Sequence, residues 1–225
     1  RIFVPLAIRE IMNRLVTRIE AVARTSVVQL IDLNPTIPVR ISAGEVYDIG
    51  LTNPPYVSTL IAAGYADGSK HSAFGRVPLA VGRRAGAKCT IRNDLEEIKD
   101  LLRRAESIAY TGAGTSGKTY LDVIKRLDLN NILLPKSQAM DAGEPVASVV
   151  AGETELAVAP LTTILSTPGV APAAVFPEGL GAHIDISVFL STKPQTGAAA
   201  ALALLTAREL DDELAAAGVL RFELN

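Results

Sequence analysis

One stretch of the chain, Gly112-Ala113-Gly114-Thr115-Ser116-Gly117-Lys118-Thr119, follows the pattern G-x-x-x-x-G-K-[ST]. Apolar residues 107–110 precede it and an amphipathic run, residues 120–127, follows. The segment therefore reads as strand, glycine-rich turn and helix. Such a turn exposes backbone N–H groups, and the first turn of the helix leaves its own N–H groups without intrahelical partners. The helix dipole adds partial positive charge at the same place. Thr111, Thr115 and Ser116 add hydroxyl donors. The chemistry this implies is capture of an anion: a phosphate, a sulfate, a metal oxyanion or a carboxylate.

Nucleotide hydrolysis requires more, namely a second strand ending in Asp or Glu to hold magnesium. The downstream apolar runs at residues 131–134, 146–150, 156–160, 173–176 and 184–190 do not have four apolar residues followed by an acid. Residues 27–32 end on Asp32, but Gln29 interrupts them and they precede the loop. Nucleotide binding through residues 112–119 is thus the weaker reading, and no ATPase or GTPase activity is expected. Asp32 is the one carboxylate near the turns of the first half, and there it reads as a turn cap rather than a base. His71 falls in a polar stretch that reads as a surface loop. With His71, His183 and Cys89 as the only histidines and cysteine, no metal site is expected, and no cofactor is implied.

These residues need elements to hold them. The chain has 225 residues, 48% hydrophobic and 20% charged, with a formal net charge of −2. That is an ordinary globular balance, long enough for one large or two small domains. Near-neutral charge gives no reason to expect a nucleic-acid partner, and no apolar run approaches spanning length, so no membrane insertion is expected. A single cysteine excludes an internal disulfide. Strands are predicted at residues 1–4, 27–31, 47–51, 77–81, 107–110, 132–134, 156–159, 175–176 and 184–190. Helices are predicted at 6–23, 36–43, 54–64, from Asn93 as N-cap with Glu96 three residues on to about 106, then 115–127, 146–151, 161–165, 197–207 and 209–217. The alternation gives an α/β class with mostly parallel sheets. Gly and Pro clusters at 64–78 and 168–181 read as breaks between two halves.

The order of elements and several local strings resemble the periplasmic binding proteins of type II, especially the molybdate-binding branch. The resemblance rests on the opening strand and helix, residues 3–15, and on Ser42-Ala43-Gly44-Glu45 before Tyr47-Asp48-Ile49-Gly50-Leu51-Thr52. It rests too on Ser107-Ile108-Ala109-Tyr110 before the glycine loop, on Val150-Ala151-Gly152-Glu153-Thr154-Glu155-Leu156-Ala157-Val158, and on Phe176-Pro177-Glu178. It implies two α/β lobes, residues 1–78 with 184–225 and residues 79–183, each a mostly parallel sheet flanked by helices. Two crossing strands join them, and the ligand lies between them.

Carried over by position, the resemblance implies ligand contacts from Leu6 and Ala7, Asn34, Pro35, Thr36, Thr52 and Asn53 in the first lobe. In the second it implies Thr111, Gly114, Thr115, Ser116, Gly117, Pro160, Leu161 and Thr162. Arg76, at the start of a crossing strand, is placed to clamp a carboxylate. Molybdate binders carry serine after the first strand and a serine-rich turn after the second. Here these are Pro5-Leu6-Ala7 and Leu33-Asn34-Pro35-Thr36, which turns the expectation from molybdate to an organic carboxylate. The implied function is capture of a small anion for the membrane subunit of an ABC-type transporter, in the periplasm if a leader was removed and in the cytoplasm otherwise. An isomerase of small unsaturated carboxylic acids on the same scaffold stays open as the alternative.

Overall fold

Ile2, Phe3 and Val4 are buried, and with Pro5 they form β1 (Ile2–Pro5). A single 3-10 turn, Leu6–Ile8, leads into α1 (Arg9–Ala23), whose buried Ile11, Met12, Leu15 and Ile19 recur at helical spacing. Arg24 ends the helix in the left-handed region, φ 55°. Next come β2 (Gln29–Asp32), α2 (Thr36–Ser42), β3 (Ile49–Thr52) and α3 (Pro54–Ala62). The structure is a computed structural model that describes residues 1–86 and 90–224; Cys89 lies outside the described residues.

The long strand β4 (Ala66–Arg84) leads to α4 (Leu95–Arg104), β5 (Ile108–Thr111), α5 (Thr115–Arg126) and the single turn α6 (Asn130–Leu133). Then follow β6 (Ser137–Met140), α7 (Glu144–Ala151), β7 (Leu156–Pro160), α8 (Leu161–Ser166) and β8 (Val170–Val175). The chain closes with β9 (His183–Ser191), α9 (Ala198–Thr206) and α10 (Asp211–Ala216). Among the described residues, no helix is long and apolar enough to cross a membrane.

The chain divides into two compact units, Arg1–Arg76 with Asp185–Asn225, and Val77–Ile184. In the first, the strands lie in the order β2-β1-β3-β9, with β1 parallel to β2 and β3, and β9 antiparallel to β3. Phe3, Ile37, Ile41, Tyr47, Val57, Leu60 and Phe189 pack as one core on the α2–α3 face. The Tyr47 ring sits 5.7 Å from Phe3 and 5.9 Å from Phe189, and its hydroxyl donates to Tyr65 O at 2.7 Å. Gly50 is glycine because any Cβ there would enter the Phe189 ring. In the second unit β4 is antiparallel to both β7 and β8, while β7, β5 and β6 run parallel. Val146, Val149, Ala157, Ala159, Ile164 and Val170 form a core there. The class is α/β with parallel strands at the heart of each sheet.

Several expectations are corrected. Residues 132–134 are helical, not a strand: Leu133 donates its N–H to Leu129 O at 2.9 Å, the two buried leucines recur at i and i+4, and a 3-10 turn opens at Leu134. The strand of that region is β6, further on. The supposed break at 64–78 is mostly strand β4, and that at 168–181 contains β8. Gly75 serves the strand by leaving room for Val219 Cγ1. The cap of α4 is Asp94 rather than Asn93: its carboxylate accepts from the Glu96 and Glu97 N–H groups at 3.0 and 3.1 Å.

Candidate functional site

Parallel strands finish on the same edge of a sheet, and open α/β sheets bind ligands beyond that carboxyl edge. In the first unit Phe3 lies opposite both Leu30 and Gly50. The ends of β1, β2 and β3 therefore form one rim, followed by Ala7, by Asn34, Pro35 and Thr36, and by Asn53. In the second unit Tyr110 lies opposite Ala139 and Val158. There the ends of β5 and β7 lead into Gly114, Thr115, Ser116 and Gly117, and into Leu161 and Thr162.

The first rim is built from side chains. Asn34 is 5% exposed and Thr52 0%. The Thr52 hydroxyl lies 3.1 Å from Asn34 O and 3.2 Å from Asn34 Oδ1, which fixes the amide and leaves Asn34 Nδ2 as its donor. Asn53 Nδ2 donates to Asp185 O at 2.7 Å. The backbone contributes less than the sequence suggests. Thr36 and Ile37 both direct their N–H groups to Leu33 O, at 2.9 and 3.2 Å. Pro54 and Pro55 open α3 without any N–H, and Tyr56 and Val57 donate to Asn53 O. Ala7 lies half-buried in the 3-10 turn after β1.

Two charged candidates are occupied by their own chain. Arg76 was expected to clamp a ligand carboxylate. It instead closes bidentately on Asp185, Nε to Oδ1 at 2.7 Å and Nη2 to Oδ2 at 3.0 Å, with its guanidinium 5.4 Å from the Phe222 ring centroid. Asp32 accepts from the Leu33 N–H at 2.8 Å and from Arg40 Nη1 at 2.9 Å, so it caps its turn. His71 lies in β4 rather than in a surface loop; burial lowers its pKa, and its Nε2 has no partner among the described residues. Among the described residues no three His, Cys, Asp or Glu side chains cluster as metal ligands do.

The second rim is built on a helix end. Only Gly112, Ala113 and Gly114 separate β5 from α5, and Gly114 is the N-cap at φ −90°, ψ 163°. Ser116 and Gly117 are buried in the first turn, beside Thr111 at the strand end. A Cβ on Gly117 would collide with Thr111 O, so this glycine lets the helix rest on the strand's last carbonyl. No acid lies in the first turn, whereas Lys125 and Arg126 lie in the last, so the positive end of the dipole is uncompensated by the helix's own side chains. In a nucleotide loop the chain winds around the phosphates before the helix starts, and the lysine reaches them. Here Lys118 already lies within the helix and is exposed. Tyr110 packs against Tyr120 at 5.3 Å, and Tyr120 shares a 2.9 Å hydrogen bond with Ser137.

One polar residue went unnoticed in the sequence. Ser187 lies directly opposite Thr52 in the β3–β9 pair, is wholly buried, and its hydroxyl has no partner among the described residues. The available signal was the alternation of polar His183, Asp185 and Ser187 with apolar residues along the first half of β9.

Residues 1–218 match the family described as "Bacterial extracellular solute-binding protein". A curated relative, the aconitate isomerase of a Pseudomonas species, is 26% identical over 148 residues, 65% of this chain. The match spans just over half of that relative's own length, 56%. Among solved structures, the periplasmic molybdate-binding protein of Azotobacter vinelandii superposes with a TM-score of 0.79 at 14% identity, covering 97% of each chain. The substrate-binding domain of a putative molybdenum ABC transporter from Clostridium difficile gives 0.78 at 14% identity, covering 99% of this chain and 98% of that one. The fold is that of the type II periplasmic binding proteins.

Proposed function

Because the chain belongs to the bacterial extracellular solute-binding protein family, we propose that it captures a small organic carboxylate and delivers it to the membrane subunit of an ABC-type transporter, outside the cytoplasm. The first rim contributes Ala7, Asn34, Pro35, Thr36, Thr52 and Asn53. The second contributes Thr111, Gly114, Thr115, Ser116, Gly117, Leu161 and Thr162. The observation that carries this reading is the donor set. Both strand-end rims hold buried hydroxyls or amides, and α5 presents a first turn without an acid. Neutral donors and a helix terminus bind anions without a buried cation. Arg76 is left out, because its fork holds Asp185.

A carboxylate is favoured over molybdate on two grounds. An amide, Asn34, stands where a hydroxyl-rich turn would suit a tetrahedral oxyanion. The curated relative is named for aconitate, an unsaturated tricarboxylate. That relative also motivates the second reading, isomerisation. Proton transfer needs a titratable group within reach of the substrate. The carboxylate beside the first rim, Asp32, has both oxygens engaged, and binding without turnover is the better-supported function.

The test is a thermal-shift panel of molybdate, sulfate, citrate and trans-aconitate, with NMR of the aconitate samples after incubation. An anion at about 100 times its Kd adds roughly 2.7 kcal/mol. At this chain length that is a rise of roughly 5–11 °C. Citrate or aconitate should give it. A shift with molybdate or sulfate alone overturns the carboxylate preference. No shift with any of the four overturns the binding reading, and conversion of trans- to cis-aconitate would make the protein an enzyme.

A further inference from the structure

Ser187 occupies the middle of β9, between the buried apolar side chains of Ile186 and Val188. It is 0% exposed, and among the described residues its Oγ has no hydrogen-bond partner. Buried polar groups in folded proteins are almost always paired, and each exception points to a missing water, ion or ligand. Side chains alternate along a strand, so Ser187 shares a face with Asp185 and Phe189. Phe189 belongs to the apolar core, whereas the Asp185 carboxylate holds Arg76. Ser187 therefore marks the point where this face of β9 turns from core to rim.

Its partner across the ladder is Thr52, the last residue of β3. Side chains directly opposite in an antiparallel pair have Cβ atoms about 4.5–5.5 Å apart. Thr52 in turn touches Asn34 O and Oδ1. Asn34, Thr52 and Ser187 are thus one buried polar cluster at the strand end, each over nine-tenths buried. Within it the Thr52 hydroxyl is engaged with Asn34. The donors not engaged are Asn34 Nδ2 and the Ser187 hydroxyl.

We propose that Ser187 is a ligand-contacting residue, donating together with Asn34 Nδ2 to one carboxylate of the captured anion, while Thr52 is the positioning residue that holds the Asn34 amide. This rests on the anion-binding reading above. A carboxylate has two oxygens and about four lone-pair sites, which two neutral donors of one cluster can share. The hydroxyl remains unpaired in the empty protein and is paired on binding.

Ser187→Ala in the full chain tests it, with calorimetric titration of trans-aconitate, citrate, molybdate and sulfate and with melting of the free protein. A hydrogen bond to a charged group accounts for roughly tenfold or more in affinity. Ser187→Ala should weaken the bound carboxylate by that factor, while the free protein melts at or above the parent temperature, since removing an unpaired buried hydroxyl is neutral or stabilising. Ser187→Cys, close in volume but a weak donor, should lose affinity in the same direction. Thr52→Val should lower both affinity and melting temperature, because it releases Asn34. If the parent binds one of the four anions and Ser187→Ala binds it within about twofold, a difference too small for a charged hydrogen bond, the Ser187 assignment falls and the hydroxyl belongs to a buried water or a packing defect. If the parent binds none of the four, the anion-binding reading falls first and this assignment with it.

Discussion

Replacing Gly117 by alanine separates the packing role of the glycine loop from the nucleotide role its letters suggest. Gly117 is the third residue of α5. By helix propensity alone, Gly→Ala gains about 1 kcal/mol. Here the new Cβ would collide with Thr111 O and lie 2.9 Å from Thr111 C and 3.1 Å from Tyr110 Cδ2. The obstacle is the backbone of β5, so no side-chain rotation relieves it and α5 must lift off the strand. Overpacking of this kind costs roughly 1–3 kcal/mol. Taking the upper end against the propensity gain leaves a net loss of about 2 kcal/mol, a fall of roughly 4–8 °C in Tm at this length. The anion-induced shift should shrink as well, because the first turn of α5 moves. Gly112→Ala is the control: its Cβ would meet Ala139 Cβ at 3.3 Å and Met140 O at 3.7 Å, contacts that small adjustments absorb. Thermal and urea melts of both variants, with and without citrate, measure this. A Gly117→Ala protein that melts at or above the parent temperature refutes the seating of α5 on Thr111.

Three further outcomes are expected. Arg76→Met leaves the Asp185 carboxylate, with a side chain 26% exposed, without its bidentate partner; a pair of intermediate burial is worth about 2 kcal/mol. The Tm should fall, and Arg76→Met with Asp185→Asn should recover part of the loss, whereas an unchanged single variant contradicts a stabilising role. Burial pushes the Tyr120 phenol up to about 12, from about 10 in the unfolded chain. The folded state then holds the proton more tightly, so this stability is intact below pH 10 and is lost as pH rises from 10 through 12, by roughly 2–3 kcal/mol at 1.36 kcal/mol per unit. Tyr120→Phe should flatten that alkaline slope in pH-dependent urea melts, and a slope equal to the parent's would remove Tyr120 as its source; Tyr47, also pushed up by burial, supplies the remainder. Lys118→Ala should leave the citrate-induced melt shift unchanged and magnesium-ATP without effect, and a loss of magnesium-dependent nucleotide binding in that variant would revive the nucleotide reading.

Much of the architecture was readable where a segment's own pattern decides its structure. The helical spacing of Ile11, Met12, Leu15 and Ile19, and the buried runs that became β1, β5 and β7, depend on neighbours within a few residues. The errors lie where distant partners decide. The first half of β4 is polar, with Asp67, Ser69, Lys70, His71 and Ser72, and it reads as a loop. Its extended form is supported by residues over a hundred positions away, as where Arg221 Nη1 donates to Phe74 O at 2.6 Å. At the rims, strand ends located Asn34, Thr52, Ser116 and Thr162, because the topology of parallel strands places them there. The occupation of Arg76 by Asp185 was not readable, because 109 residues separate the two. The poverty of N–H donors at α3 could have been read from Pro54 and Pro55.

The account's central claim is that the chain binds a small carboxylate through neutral donors at its strand ends. Its most direct test is an amide NMR titration of the full chain, isotopically labelled, with citrate and with trans-aconitate. The side-chain amide of Asn34 and the backbone N–H signals of Ser116 and Gly117 should each respond, saturating as the anion is added. Signals at these strand ends that respond to neither carboxylate, or that drift without saturating, would contradict it.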